Sequence, residues 1–128
     1  MTTEQAPGSR VELADLAGFA TVRQWVQAYG SHWTAPRSEA EATRRLEVLR
    51  RFCEFCGKDP DSLVRSLFRD TPQGPRIRLK RRREVMAQID AFEALVAEGN
   101  TRRGREMGNI VRSFLIHNGV ALTATPLR

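Results

Sequence analysis

Arg44, Arg45 and Arg51 fall on one side of the stretch from Ser38 to Gly57, with Arg50 near its edge. A guanidinium is planar and permanently charged, and its donor fork fits phosphate or carboxylate oxygens two at a time. A row of them on one rod is chemistry for holding an anion. The ends of the rod are legible. Ser38 and Glu41 form a capping box, in which the Ser38 hydroxyl accepts from the Glu41 amide and the Glu41 carboxylate from the Ser38 amide. Gly57 suits the left-handed residue after a helix. Between them Ala42, Leu46, Leu49, Phe52, Cys53 and Cys56 recur at three- and four-residue spacing and make one apolar stripe. Taken alone, the arginine face reads as solvated surface, since Arg is a good helix former.

A second stretch repeats the design. Asn100 can cap a helix over Thr101 to Asn118 whose face is Met107, Ile110, Val111, Phe114 and Leu115. Arg102, Arg103, Arg105 and Arg112 lie at its start or on its other faces. Gly104 and Gly108 weaken this helix by about 1 kcal/mol each relative to Ala, but leave a slim surface for close approach of a backbone. A third concentration is the block Arg76, Arg78, Lys80, Arg81, Arg82 and Arg83, opening a helix read over Arg76 to Glu98. Cations at a helix N-terminus oppose its dipole. Either the charge is used, or the helix starts later than Arg76.

The remaining reactive side chains do not assemble into a catalytic set. Cys53 and Cys56 form a C-x-x-C with no second pair, and only His32 and His117 could complete a zinc site. No strand precedes the pair, as a thioredoxin-like motif would require. Both Cys fall on the apolar stripe and read as small core residues. No metal, cofactor or small-molecule substrate is expected.

Charge and length narrow the function class. The 128 residues suit one domain, and the net charge is +6. Residues 61–83 hold eight Lys or Arg against two acids, a local +6; residues 84–100 hold four acids and no Lys or Arg, a local −4; residues 101–128 hold five Arg against one acid, a local +4. Blocks of positive charge favour an anionic partner, nucleic acid first. No run is long and apolar enough to span a membrane, and the N-terminus lacks a secretory pattern, so the expectation is a cytoplasmic protein with no membrane partner.

The elements follow in order. Residues 1–20 read as a flexible arm with one or two turns of helix near Leu13, Leu16 and Phe19. Thr21 and Gln24 make a second capping box, and Val22, Trp25, Val26 and Tyr29 the face of a helix that Gly30 ends. Ser31 to Arg37 is a loop whose Trp33 reads as a core plug or, alternatively, a groove contact. After the central helix, Asp59 as N-cap with Pro60 at the first helical position starts a short helix that buries Leu63, Val64, Leu67 and Phe68. Asp70 to Pro75 reads as a loop, with two prolines and a glycine in six residues. Val85, Met86, Ile89, Phe92, Leu95 and Val96 form the apolar side of the long helix, which Gly99 ends. Val120 and Leu122 fold back on the core, and residues 123–128 are a tail or linker. Nothing alternates with a two-residue period. The class is all-α: a compact domain of four to five helices over residues 21–122.

This ordered set resembles the N-terminal core-binding domain of tyrosine recombinases, the phage-integrase, Xer and Cre superfamily. Trp25-Val26 looks like the family's first apolar helix. Ser38 followed by Leu49-Arg50-Arg51-Phe52 is similar to its second. Gly57-Lys58-Asp59-Pro60-Asp61-Ser62-Leu63 resembles the G-x-x-P-x-x-L turn of prokaryotic integrases. Ile89-x-x-Phe92-x-x-Leu95 is similar to the third helix, and Val111-Arg112-Ser113-Phe114-Leu115 with Asn118-Gly119-Val120 to the fourth. The chain departs from the family at Glu41, where Thr is frequent, at Arg45, where Tyr is, and at Arg103 and Met107.

The resemblance implies a SAM-like fold whose second and fourth main helices approach the DNA major groove, as half of a C-shaped clamp. Carried over, Arg37, Ser38, Glu41, Arg44 and Arg45 line one helix, and Asn100, Thr101, Arg102, Arg103 and Arg105 the other, with Arg81 as a further phosphate contact. Apart from the resemblance, the block from Arg76 to Arg83, Arg81 among it, reads either as a further phosphate contact or as a solvated loop. The implied partner is double-stranded DNA, with room for self-association on it. The family's catalytic domain supplies an Arg, a His-x-x-Arg and a Tyr nucleophile. Here Tyr29 is the only tyrosine, and Ala35 and Val120 stand where the Arg would follow His32 and His117. No catalysis by this chain is expected. The alternatives are a helical protein-interaction module whose basic surface meets an acidic partner, and an RNA-binding helical protein.

Overall fold

The computed structural model describes residues 13–32 and 39–122. Trp33, Arg37 and Ser38, the first twelve residues and the tail after Leu122 lie outside these, as do the side chains of Tyr29 and His32. A 3-10 helix at Leu13–Gly18 precedes α1 (Ala20–His32), α2 (Glu39–Cys56), α3 (Pro60–Arg65), the strands β1 (Phe68–Thr71) and β2 (Gly74–Ile77), α4 (Leu79–Ala97) and α5 (Thr101–Ile116).

The core is built where the apolar stripes meet. α2 packs against the 3-10 helix, α4 and α5, and buries Leu49, Phe52 and Cys53. Val48, off the stripe read from spacing, is buried too, because α2 has neighbours on more than one side. Phe52 meets Phe92 of α4 edge to face at 5.3 Å. Trp25 of α1 meets Phe114 of α5 in the same way at 5.5 Å, and its Nε1 donates to Ser113 Oγ at 3.1 Å. Such pairs add about 1 kcal/mol beyond their buried area. All five α5 residues assigned to the core are buried. Val26 and Leu95 are the exceptions among the predicted faces, at 49% and 62% exposed.

Several helix ends behave as the sequence reads. Gly57 has φ 75°, and its amide and that of Lys58 both donate to the Cys53 carbonyl. Asp59 Oδ1 accepts from the Ser62 amide at 2.7 Å, with Pro60 opening α3. Asn100 Oδ1 accepts from the Arg103 amide at 3.1 Å.

The start of α1 is different. The helix begins at Ala20, and Thr21 does not cap it. Its orphan amides go instead to Asp61 of α3: the Thr21 amide donates to Oδ1 at 2.9 Å, the Thr21 hydroxyl at 2.6 Å, and the Ala20 amide to Oδ2 at 3.4 Å. A carboxylate does this better than a hydroxyl because it also meets the positive end of the dipole. Partial burial acts to raise the Asp61 carboxyl, but the bonds from Thr21 and Ala20, with Arg65 nearby, outweigh it and hold it below the ordinary aspartate range. A carboxyl depressed on folding stabilises above its unfolded pKa, and the contribution is lost as pH falls through the ordinary aspartate value and below. Asp61→Ala is expected to cost about 1 kcal/mol at neutral pH, like a lost N-cap. The difference from wild type should shrink below about pH 4; urea denaturation at the two pH values measures it.

Two further readings are corrected. Gly30 does not end α1, which continues to His32. Residues 70–75 are not a loop but part of a two-stranded antiparallel ribbon with the register Phe68↔Ile77, Arg69↔Arg76, Asp70↔Pro75 and Thr71↔Gly74. Thr71 closes the turn: its hydroxyl accepts from the Gln73 amide and donates to the Gly74 carbonyl. Pro75 is tolerated because both strands of such a ribbon are edges. With the ribbon in place, α4 starts at Leu79 rather than Arg76, which takes Arg76 and Arg78 out of the helix.

Candidate nucleic-acid interface

The position of α5 on α4 decides where its arginines stand. α5 runs antiparallel to α4, and Gly104 and Gly108 are both buried against it. A Cβ on Gly104 would come 2.5 Å from the Glu93 carbonyl oxygen and 2.9 Å from the Ala97 Cβ. A Cβ on Gly108 would run into the Glu93 side chain. That side chain lies in the notch left by Gly108 and fixes the register: Glu93 pairs with Arg112 at 2.5 Å and Arg105 at 3.8 Å, and Arg112 also reaches Asp90 at 3.3 Å.

With α5 so placed, its first turns stand beside the N-terminal half of α2. Arg44 of α2 approaches Glu106 Oε1 at 3.9 Å, while Arg102 of α5 approaches Glu106 Oε2 at 3.6 Å. Two arginines from the two helices thus converge on one carboxylate. Their side chains stay open to solvent, at 46% for Arg44 and 89% for Arg102. Arg103 is exposed as well and reaches Glu98 at 4.0 Å, whereas Arg105 lies on the α4 flank of α5, against Glu93 and lining a recess with Asp90. The contacts to Glu106 are long and exposed, each contributing under about 1 kcal/mol, so a phosphate can displace the carboxylate cheaply.

The other predicted residues divide. Arg45 lies along its own helix, pairs with Glu41 at 3.0 Å and is 18% exposed, lining an apolar groove with Trp25, Val26, Ala42 and Leu46. Asn100 spends its side-chain oxygen on the α5 cap, and Thr101 is exposed next to it. Arg81 is not brought to this cluster. It donates to Ser66 Oγ at 3.2 Å and pairs with Glu84 at 3.1 Å, near the start of α4. From Arg81 to the end of α4, where α5 begins, is about 24 Å at the helical rise.

Sequence reading did not single out Glu106. Its four-residue spacing from Arg102 was visible; its approach to Arg44 depends on the packing of α5 against α2.

The two cysteines are packed rather than poised as thiolates. Cys53 is buried and Cys56 half-buried, both as free thiols. Burial pushes both thiols up, so both stay protonated at neutral pH. Among the described residues no group of three or more His, Cys, Asp or Glu could hold a metal, and no helix is long and apolar enough to cross a membrane. No protein-family model, no curated protein and no solved structure matches this chain.

Proposed function

We propose that this chain is a duplex DNA-binding domain of the core-binding type found in tyrosine recombinases and integrases, and that it grips DNA without cutting it. The observation that carries the reading is the convergence of Arg44 and Arg102 on Glu106. Side chains from two helices can then meet one segment of backbone together. Arg103, next along the chain from Arg102, adds a third exposed guanidinium at the start of α5. The start of α5 adds amide donors and the positive end of a helix dipole, which favour phosphate. Binding of this kind is driven mostly by the backbone, with base-edge contacts from arginine forks giving what sequence preference there is.

The test is a salt series with a half-site duplex. If about five phosphates are neutralised, log K falls against log salt with a slope of roughly −4 to −5. Between 50 and 200 mM salt the affinity then drops about 500-fold. A flat salt dependence, or no binding at low salt, rejects the reading. Stronger binding to an RNA duplex moves the assignment to RNA.

A further inference from the structure

The ribbon presents a second cationic surface that the α2–α5 cluster does not include. Residues 65–83 contain eight Lys or Arg and one acid, Asp70. Three of those cations are tied down. Arg78 donates to the Ser66 carbonyl, Arg81 to the Ser66 hydroxyl and Arg82 to the Ala121 carbonyl. These bonds seat α4 on its neighbours.

Arg69 and Arg76 are different. They are exposed and directly opposite in the ribbon register. Among the described residues neither forms an ion pair or a side-chain hydrogen bond. Phe68 and Ile77, one step along each strand, point the other way and pack against the core. Asp70 shares the Phe68 face rather than that of the arginines, by strand alternation. Like charges directly opposite on a ribbon destabilise it. Among the described residues no carboxylate pairs with either arginine to offset that repulsion, and an anion from outside would.

We propose that the outward face of the β1–β2 ribbon, carrying Arg69 and Arg76 side by side, is a second contact for the phosphate backbone of duplex DNA. The spacing fits. Opposed residues on antiparallel strands have Cβ atoms about 5 Å apart, and arginine side chains that diverge from there place their guanidinium groups farther apart, as neighbouring phosphates wound round the DNA axis require. Two arginine forks fanning from such a base span successive phosphates. The ribbon lies at the start of α4, beside Asn118 and Gly119 at the end of α5. The 19 residues of α4 are about 28 Å long. The ribbon and the α2–α5 cluster are therefore separate contacts, at opposite ends of α4. The inference rests on the proposed DNA-binding reading for its partner class, not for its geometry.

The experiment compares wild type with R69Q/R76Q and R102Q/R103Q, by fluorescence anisotropy on a ~20-bp duplex across a salt series, with thermal unfolding of each. R69Q/R76Q is expected to weaken low-salt binding about tenfold and to flatten the salt slope by about 2. Its unfolding temperature should stay level or rise, since the cross-strand repulsion is gone. Wild-type affinity and slope in R69Q/R76Q overturn the proposal, and so does a lowered unfolding temperature, which would make the pair structural. Loss in R69Q/R76Q with none in R102Q/R103Q keeps the ribbon and overturns the α2–α5 interface. No binding by wild type overturns both.

Discussion

Gly104→Val is expected to destabilise the fold by about 3 kcal/mol. On an exposed helix the same change would be neutral to slightly stabilising, because Val is the better helix former. Here the added atoms have no room. A Cβ alone would stand 2.5 Å from the Glu93 carbonyl oxygen, 2.9 Å from the Ala97 Cβ and 3.3 Å from the Ala97 Cα. Two of those three neighbours are backbone, so relief requires α5 to move off α4 rather than a side chain to swing away. The move would also pull Glu93 from Arg112 and shift Arg102 relative to Arg44. The urea midpoint should fall with an unchanged m-value, and DNA affinity should fall with it. Gly18→Ala is the control: nothing lies within 4 Å of its Cβ position, so its stability should stay within about 0.5 kcal/mol of wild type. A Gly104→Val protein as stable as wild type would mean the two helices are not this close.

What could be read from the sequence was what a few neighbouring residues decide. Gly57, Asp59 with Pro60, and Asn100 act within one helical turn, and their caps stand where spacing puts them. The apolar face of α5 is likewise a local pattern and is buried throughout. The start of α1 is not legible locally, because its cap arrives from Asp61, 40 residues on from Thr21. Local rules favoured Thr21 itself, and a carboxylate with Arg65 beside it outcompetes a hydroxyl for those amides. The ribbon escaped because each strand has four residues and only two alternations, with Pro72 and Pro75 reading as breakers. Shifting residues 76–78 out of α4 also removes part of the conflict between cations and the helix dipole. For the candidate interface, the arginines were visible as types and spacings. Their grouping was not: Arg44 joins Arg102 through Glu106, while Arg81 stands toward the far end of α4. Only the packing of α5 on α4, set by Gly104, Gly108 and Glu93, decides between those outcomes.

That grouping makes the charge changes at Glu106 and its partners informative in opposite directions. The combined variant Arg44→Glu, Arg102→Glu and Arg103→Glu is expected to reduce low-salt DNA affinity about a hundredfold or more, as three charge-assisted contacts are lost. The salt slope should fall to roughly −2, since each phosphate contact accounts for nearly one unit. The fold should survive, because the ion pairs given up are exposed and weak; circular dichroism and the unfolding temperature check this. Glu106→Gln is the reciprocal change. It frees Arg44 and Arg102 from the carboxylate they share and removes a negative charge from the proposed interface. Affinity should rise about threefold, and the slope should steepen rather than flatten, as expected when a competing anion is deleted. A structural role for Glu106 alone would show as lost stability with no gain in binding. The two variants moving affinity in the same direction would separate Arg44 and Arg102 from any common ligand. Opposite movements would tie both helices to a single stretch of phosphate.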